Sequence, residues 1–344
     1  MVHSRRLFLH IGAHKTGTSA IQFFLASNVE NLRRADLDYL NAVPLRQVQP
    51  TPGNGNSIFL YFQCSEAEPK TFESLINGYF GTQHTAIISS EDLSSLAEPH
   101  WRLILDACQS QNIIPFVIYY VRDVYPYCWS SFNQMVKAHG WSGSFEEFAE
   151  KHFVFNSRIL ELLARLAGPD HLLVNHYESK QANICHHFMS LVCPAWDPAK
   201  FEFPADRANR SLDEAELRLM RIANKYPGLH LPWELATILM SSDPDRRAEK
   251  PLYPGIVELL TQRHSADVLE INNRYFGGRQ ILQIGEFGPT SVEDTSKATA
   301  PAEKLFEWAM ARLDSARHEN FQQFLDEARA LAARSREVIR FPAD

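Results

Sequence analysis

A chain of 344 residues with 45% hydrophobic content can bury a substantial core, enough for one large domain or two small ones. A formal charge of -7 and a pI near 6.1 exclude a general nucleic-acid or polyanion binder, which needs a basic field, so any anion must be held locally by a few placed groups. Five cysteines without a C-x-x-C pair read as buried free thiols in a reducing compartment.

The first informative stretch is Leu7 to Leu25, LFLHIGAHKTGTSAIQFFL. An apolar run of Leu7, Phe8, Leu9 and Ile11 predicts a strand, Gly12, Lys15 and Gly17 a turn, and Ile21, Phe24 and Leu25 one face of a helix. Strand, loop and helix outline an anion site. Gly17 lets backbone approach a ligand, the amides of Thr16 to Ser19 lie at a helix start, and the positive end of the helix dipole stands behind them. Lys15 adds a full charge, and Thr16, Thr18 and Ser19 add hydroxyl donors. The Walker A pattern puts Lys directly after its last Gly; here the order is Lys15, Thr16, Gly17, Thr18, so that pattern fails by position. The run HIGAHKTGTSAIQ resembles the loop with which sulfotransferases hold the 5′-phosphosulfate of PAPS (3′-phosphoadenosine 5′-phosphosulfate). Its His10, Gly12, Lys15, Thr16, Gly17, Thr18 and Gln22 look most like the bacterial branch of that superfamily.

The first helix is expected to continue to about Arg34, and Leu37 to Leu40 to form a short second strand. Residues 44–57, rich in Pro, Gly and Asn, read as a surface loop bordering an acceptor pocket. In HTAIISSED, Ala86 to Ile88 form a buried parallel strand with Glu91 and Asp92 at its C-terminal end, where open α/β sheets bind ligands. Glu91 is a candidate general base; capping the helix expected from about Ser94 is the competing role, and the one assigned to Asp92.

Ile114 to Val121 read as a central strand with Arg122 and Asp123 emerging at its end and Ser130 two turns into the next helix. A guanidinium and a hydroxyl on one rim can pinch a phosphate. Arg122 and Ser130 resemble the family's second signature, which holds the 3′-phosphate of PAPS. For Arg122 the competing role is a salt bridge to a neighbour such as Asp123.

Helices follow over Phe145 to Phe153 and Asn156 to Leu166, then a strand over His171 to Tyr177 and a helix over Ile184 to Val192. His176, His186 and His187 match no metal-ligand spacing, so packing or surface roles are expected and no metal is. Ser211 and Glu214 form an expected capping box. The Gly- and Lys-rich late loop of the family is missing, and Asn209, Arg210 and Ser211 occupy the nearest comparable place.

The alternation predicts an α/β fold: a P-loop-like doubly wound parallel sheet flanked by helices, over 1–285, with a helical cap at about 205–283. A linker at 286–300 leads to an amphipathic helical C-terminal extension, 301–344. That extension is expected to dock on the domain, with pairing to a second subunit in a homodimer as the runner-up. No apolar run approaches about 18 residues and the first strand is expected by about Arg6. A cytoplasmic protein without signal peptide or integral membrane segment is therefore expected.

The resemblance implies a PAPS-dependent sulfotransferase passing a sulfuryl group to a hydroxyl or amine of an unidentified acceptor, carbohydrate or lipid among the candidates. Lys15 would stabilise charge on the leaving phosphate, Glu91 would take the acceptor's proton, and His14, in the loop itself, is the competing base. The rival readings are a P-loop kinase or NTPase using ATP and Mg²⁺, with Asp92 or Asp123 as metal ligand, and a non-catalytic nucleotide-binding module.

Overall fold

A computed structural model describes residues 4–40, 53–64, 68–203, 211–225, 235–237, 239–240 and 251–285. The expected linker at 286–300, the C-terminal extension and residues 44–52 of the expected surface loop lie outside them.

Strand β1 (Arg5–His10) is the centre of a five-stranded sheet. The others are β2 (Leu37–Asp38), β3 (Thr85–Ser89), β4 (Ile113–Val121) and β5 (Leu172–His176), in the order β2-β3-β1-β4-β5. Every pairing is parallel, so all carboxyl ends share one edge. The register sets His10 against Ser89 on one side and Ile118 on the other. Three chain segments therefore leave the sheet side by side, after β3, β1 and β4. The chain leaves β1 toward β2 and leaves β4 toward β5, in opposite directions, so the switch at which such sheets bind ligands lies between β1 and β4.

Two compact units divide the described chain. The first, 1–123, 155–206 and 266–282, contains the whole sheet. One face of the sheet is covered by α1 (Thr18–Ser27), α2 (Val29–Arg34) and α9 (Ile184–Val192), whose Ile21, Phe24, Leu25, Leu32 and Phe188 pack on Phe8, Ile87, Ile118 and Tyr120. Leu7, Leu9 and Val117 alternate to the other face, where α4 (Pro69–Asn77), α5 (Glu98–Ser110) and α8 (Arg158–Leu166) lie. Each such buried aliphatic or aromatic side chain contributes about 2 kcal/mol.

The helix expected to reach Arg34 breaks at Asn28. That buried side chain donates to the carbonyls of Phe24 (2.9 Å) and Glu202 (2.7 Å), competing with the helix's own pattern. Of the expected surface loop, Gly53, Asn54 and Gly55 are buried. Asn54 donates to the carbonyls of Leu40 and Ile87 and accepts the Ser89 amide, and Asn56 opens α3 (Asn56–Cys64). A Cβ on Gly55 would fall 2.8 Å from the Ile88 side chain, so the glycines here permit close approach to the sheet.

The second unit takes in, among the described residues, 124–154, the described parts of 211–265, and 283–285, and includes α6 (Val124–Ala138), α7 (Phe145–Lys151) and α10 (Glu214–Asn224). Tyr125, Trp129, Phe132, Phe145 and Tyr253 form its aromatic core. Residues 124–154 thus join part of the segment read as a cap. The helical cap expected at about 205–283 contains a 22-residue helix, α11 (Pro254–Tyr275). The capping box is built two residues later than expected, by Asp213 and Glu216. Both pairs have the same spacing, and the complete burial of Glu216 goes with the one formed. Among the described residues no helix is long and apolar enough to cross a membrane.

Candidate functional site

After β1 the chain is tied directly to β4: the Ile11 and Ala13 amides donate to the carbonyls of Ile118 and Tyr120, and the Tyr120 amide to that of Gly12. The Ser90 amide donates to the His10 carbonyl from the other side. The loop's base is therefore rigid, and its apex, His14 to Gly17, stands over the carboxyl edge. Lys15 sits at φ 63, in the left-handed region, and Gly17 at φ 77. A lysine there costs about 1–3 kcal/mol, which the surrounding contacts must offset.

Gly17 is the N-cap residue of α1, and the first intrahelical bond is donated by Ile21 to the Gly17 carbonyl. The amides of Thr18 to Ala20 therefore precede the helix's own pattern, with no side-chain cap and no acidic residue in the first turn. That is an anion-favouring helix start. Ser19 is exposed there. Thr16 and Thr18 are buried, and both hydroxyls donate to the Ala13 carbonyl, at 2.6 and 3.5 Å. These two hydroxyls, expected to point at a ligand, close the loop on itself instead; their amides remain at the helix start.

A Cβ on Gly17 would lie 3.2 Å from the Tyr177 ring and 3.4 Å from Ile184. Gly17→Ala combines that crowding with an unfavourable φ, and a loss of about 1–3 kcal/mol is expected in urea unfolding.

Glu91 comes to this loop from β3. It lies in a one-turn 3-10 segment, Glu91–Ser95, and its Oε1 is 3.4 Å from His14 Nδ1. The competing capping role does not arise for Glu91 or for Asp92, because α5 starts later than expected, behind Ala97, and neither helix has a side-chain cap. Burial pushes the Glu91 carboxyl up, but the hydrogen bond to His14 and the charges of His14, Lys15 and His10 carry it below the usual range. The same hydrogen bond raises His14 against the opposing effect of burial. Burial lowers the Lys15 amine, with Glu91 opposing that and Arg122 adding to it. Lys15, His14 and Glu91 are thus brought into one electrostatic cluster.

Arg122 is buried at the end of β4, against Lys15's backbone. Its Nη1 donates to the Lys15 carbonyl at 2.6 Å, its Nε donates to Glu178 Oε1 at 2.9 Å, and it lies 5.1 Å from the Tyr177 ring centroid. The acid that pairs it is Glu178, and the expected neighbour Asp123 instead meets His176 Nε2 at 3.0 Å. Parallel pairing of Val121 with His176 explains this, because it carries the two strand ends forward together. Ser130 is half-buried on α6, in the second unit.

Asp123, His176 and Glu178 offer ligand-type atoms within 4.8 Å of one another. Their spacing along the chain hid this, since Asp123 comes from another strand. Here His176 Nε2 faces both carboxylates, at 3.0 and 3.5 Å, while Arg122 shares Glu178. His176 Nδ1 is buried without a partner. A metal on Nε2 would force a proton onto that nitrogen with no acceptor, contrary to the usual outer shell of a metal-bound imidazole. The other two histidines pack: His186 stacks on Phe203 at 4.4 Å, and His187 Nδ1 meets the Tyr120 hydroxyl at 3.0 Å.

No protein-family model matches the chain, and no curated protein matches it in sequence. Among solved structures it is similar to that of a sulfotransferase from Alicyclobacillus acidocaldarius, at 13% identity and a TM-score of 0.42, over 80% of this chain and 97% of that one. That likeness is too slight to carry a family or a function across.

Proposed function

We propose that this chain is a PAPS-dependent sulfotransferase, moving a sulfuryl group to a hydroxyl or amine of an acceptor such as a carbohydrate or lipid. The carrying observation is that an uncapped helix start and Lys15 share one rim with the His14–Glu91 pair, 3.4 Å apart. That rim offers an anion cradle beside a proton acceptor. The first-turn amides and the Lys15 amine would bind the 5′-phosphosulfate and stabilise the charge that grows on the leaving phosphate as the S–O bond breaks. Arg122 would bind the 3′-phosphate, the role that the resemblance also implies for Ser130. The reading invokes no metal, and places the protein in the cytoplasm.

The two base candidates act together in this reading. Ionised Glu91 accepts from His14 Nδ1 and leaves Nε2 to take the acceptor's proton, a step worth about 10²–10⁴ in rate. Glu91 raises His14, so Glu91→Gln is expected to move the acid limb of the pH–rate profile to lower pH and to reduce kcat about tenfold. His14→Asn should remove the limb. If His14→Asn keeps the limb and Glu91→Gln abolishes it, Glu91 is itself the base.

Calorimetric titration with adenosine 3′,5′-bisphosphate and with ATP, each with and without Mg²⁺, tests the whole reading. The bisphosphate is expected to bind without Mg²⁺ and more tightly than ATP. Preference for ATP with Mg²⁺ would mark a kinase or NTPase. Bisphosphate binding without transfer from labelled PAPS to a broad acceptor panel would mark a binding module.

A further inference from the structure

We propose that Glu178 is a positioning residue that acts on Lys15 through Arg122. The proposal rests on the reading of the Lys15 loop as the phosphosulfate site, and names a residue that touches neither ligand nor reacting atoms.

The loop's base is tied to the sheet by backbone bonds, but its apex is not part of that ladder. The Lys15 backbone holds a left-handed conformation, φ 63, and its carbonyl receives Arg122 Nη1 at 2.6 Å. Arg122 reaches it from β4, 107 residues along the chain. A long side chain bonded at one nitrogen can still swing. Fixing Nε as well sets the plane of the guanidinium, because its donors form a rigid fork. Glu178 Oε1 makes that second bond at 2.9 Å and supplies the counter-charge a buried guanidinium needs.

Glu178 is itself held on its other oxygen. The Asp123 amide donates to Oε2 at 3.2 Å, and His176 Nε2 lies 3.5 Å from it. The Tyr177 ring flanks the guanidinium, and a Cβ on Gly17 would touch that same ring. A chain of contacts therefore runs from the end of β5 through Glu178 and Arg122 to the carbonyl of the residue that carries the amine. Its effect is to hold that amine over the rim before any ligand arrives, the preorganisation that electrostatic catalysis requires.

The test compares Glu178→Gln, Arg122→Lys and the double variant. Glutamine keeps the shape of Glu178 without its charge, and lysine keeps the charge of Arg122 without the fork. In the ligand-free protein, hydrogen exchange of the peptide spanning residues 11–19 is expected to rise about tenfold in each single variant, with the sheet strands unchanged. The double variant should exchange no faster than either single, because both break one brace. In transfer assays Glu178→Gln should lower kcat about tenfold, and Glu178→Asp should recover part of it.

Wild-type exchange in the loop of Glu178→Gln overturns the proposal. So does a rise shared by the whole chain, which marks a purely structural role, and so does an additive double variant. If Glu178→Gln does not fold, the exchange of Arg122→Lys decides alone. If the wild-type protein fails to bind the bisphosphate, the functional reading fails while the exchange comparison still decides the brace.

Discussion

Lys15→Ala should lower sulfuryl transfer about 10³-fold and leave the chain folded. Its amine is a full positive charge on the loop that leads into the uncapped start of α1, and removing one such donor in comparable oxyanion sites costs about 10²–10³ in rate. A cation acts more strongly than a neutral amide because the developing charge is on a phosphate. The fold should survive because neighbouring groups hold Lys15 by its backbone: Arg122 bonds the carbonyl, which alanine keeps. Rates with labelled PAPS, with circular dichroism as control, measure both halves. A variant within tenfold of wild type would place the charge stabilisation elsewhere.

Mild acid should destabilise the protein through His10. That ring is completely buried under the loop, with Nδ1 2.9 Å from the Ser89 hydroxyl and Nε2 without a partner. Burial pushes its pKa down to about 4, with Glu91 opposing the shift. A histidine whose folded pKa lies below its unfolded value of about 6.5 takes its proton preferentially when unfolded, so stability falls as pH drops through that window. Between pH 7 and pH 5 the loss comes to about 2 kcal/mol. Urea midpoints at the two pH values should show it, and His10→Asn, which keeps a polar group near Ser89, should remove that increment. An unchanged increment would mean that the ring is not held neutral.

The His14–Glu91 pair titrates in other windows. His14 is raised, so its contribution is complete below its unfolded value and fades as pH rises through its folded one. Glu91 is lowered, so its contribution is present above its unfolded value and fades as pH falls through its folded one. The pair is therefore intact between the two folded values, a range in which His10 contributes the acid sensitivity described above and His187, which burial also lowers, acts in the same direction. Acting at the same rim, His10 and His14 pull stability in opposite directions with pH, one because it is sealed and the other because it has a partner.

By itself the sequence determined the strands, most of the helices and the loop. The alternation of Leu7, Phe8 and Leu9, the apolar run at β4 and the glycines around Lys15 are local patterns, and local patterns need no knowledge of what packs against them. Helix bounds drifted where a side chain outbid the backbone, as Asn28 does, or where two caps of equal spacing competed, as with Ser211 and Asp213. The wedge of Gly53 to Gly55 looked like a surface loop because Gly and Asn serve equally well for a turn in water and for close approach to a buried strand.

Only the tertiary structure decided which charges meet. Glu91 reaches His14 from a strand on one side of β1, and Glu178 reaches Arg122 from beyond β4. Parallel strands bring together residues far apart in the chain through a register that no short window contains, so the partners of Arg122, His14 and His176 could not be read from spacing. Burial decided the rest. It turned the Thr16 and Thr18 hydroxyls inward and kept His10 neutral, and both follow from where the loop lies on the sheet rather than from what it is made of.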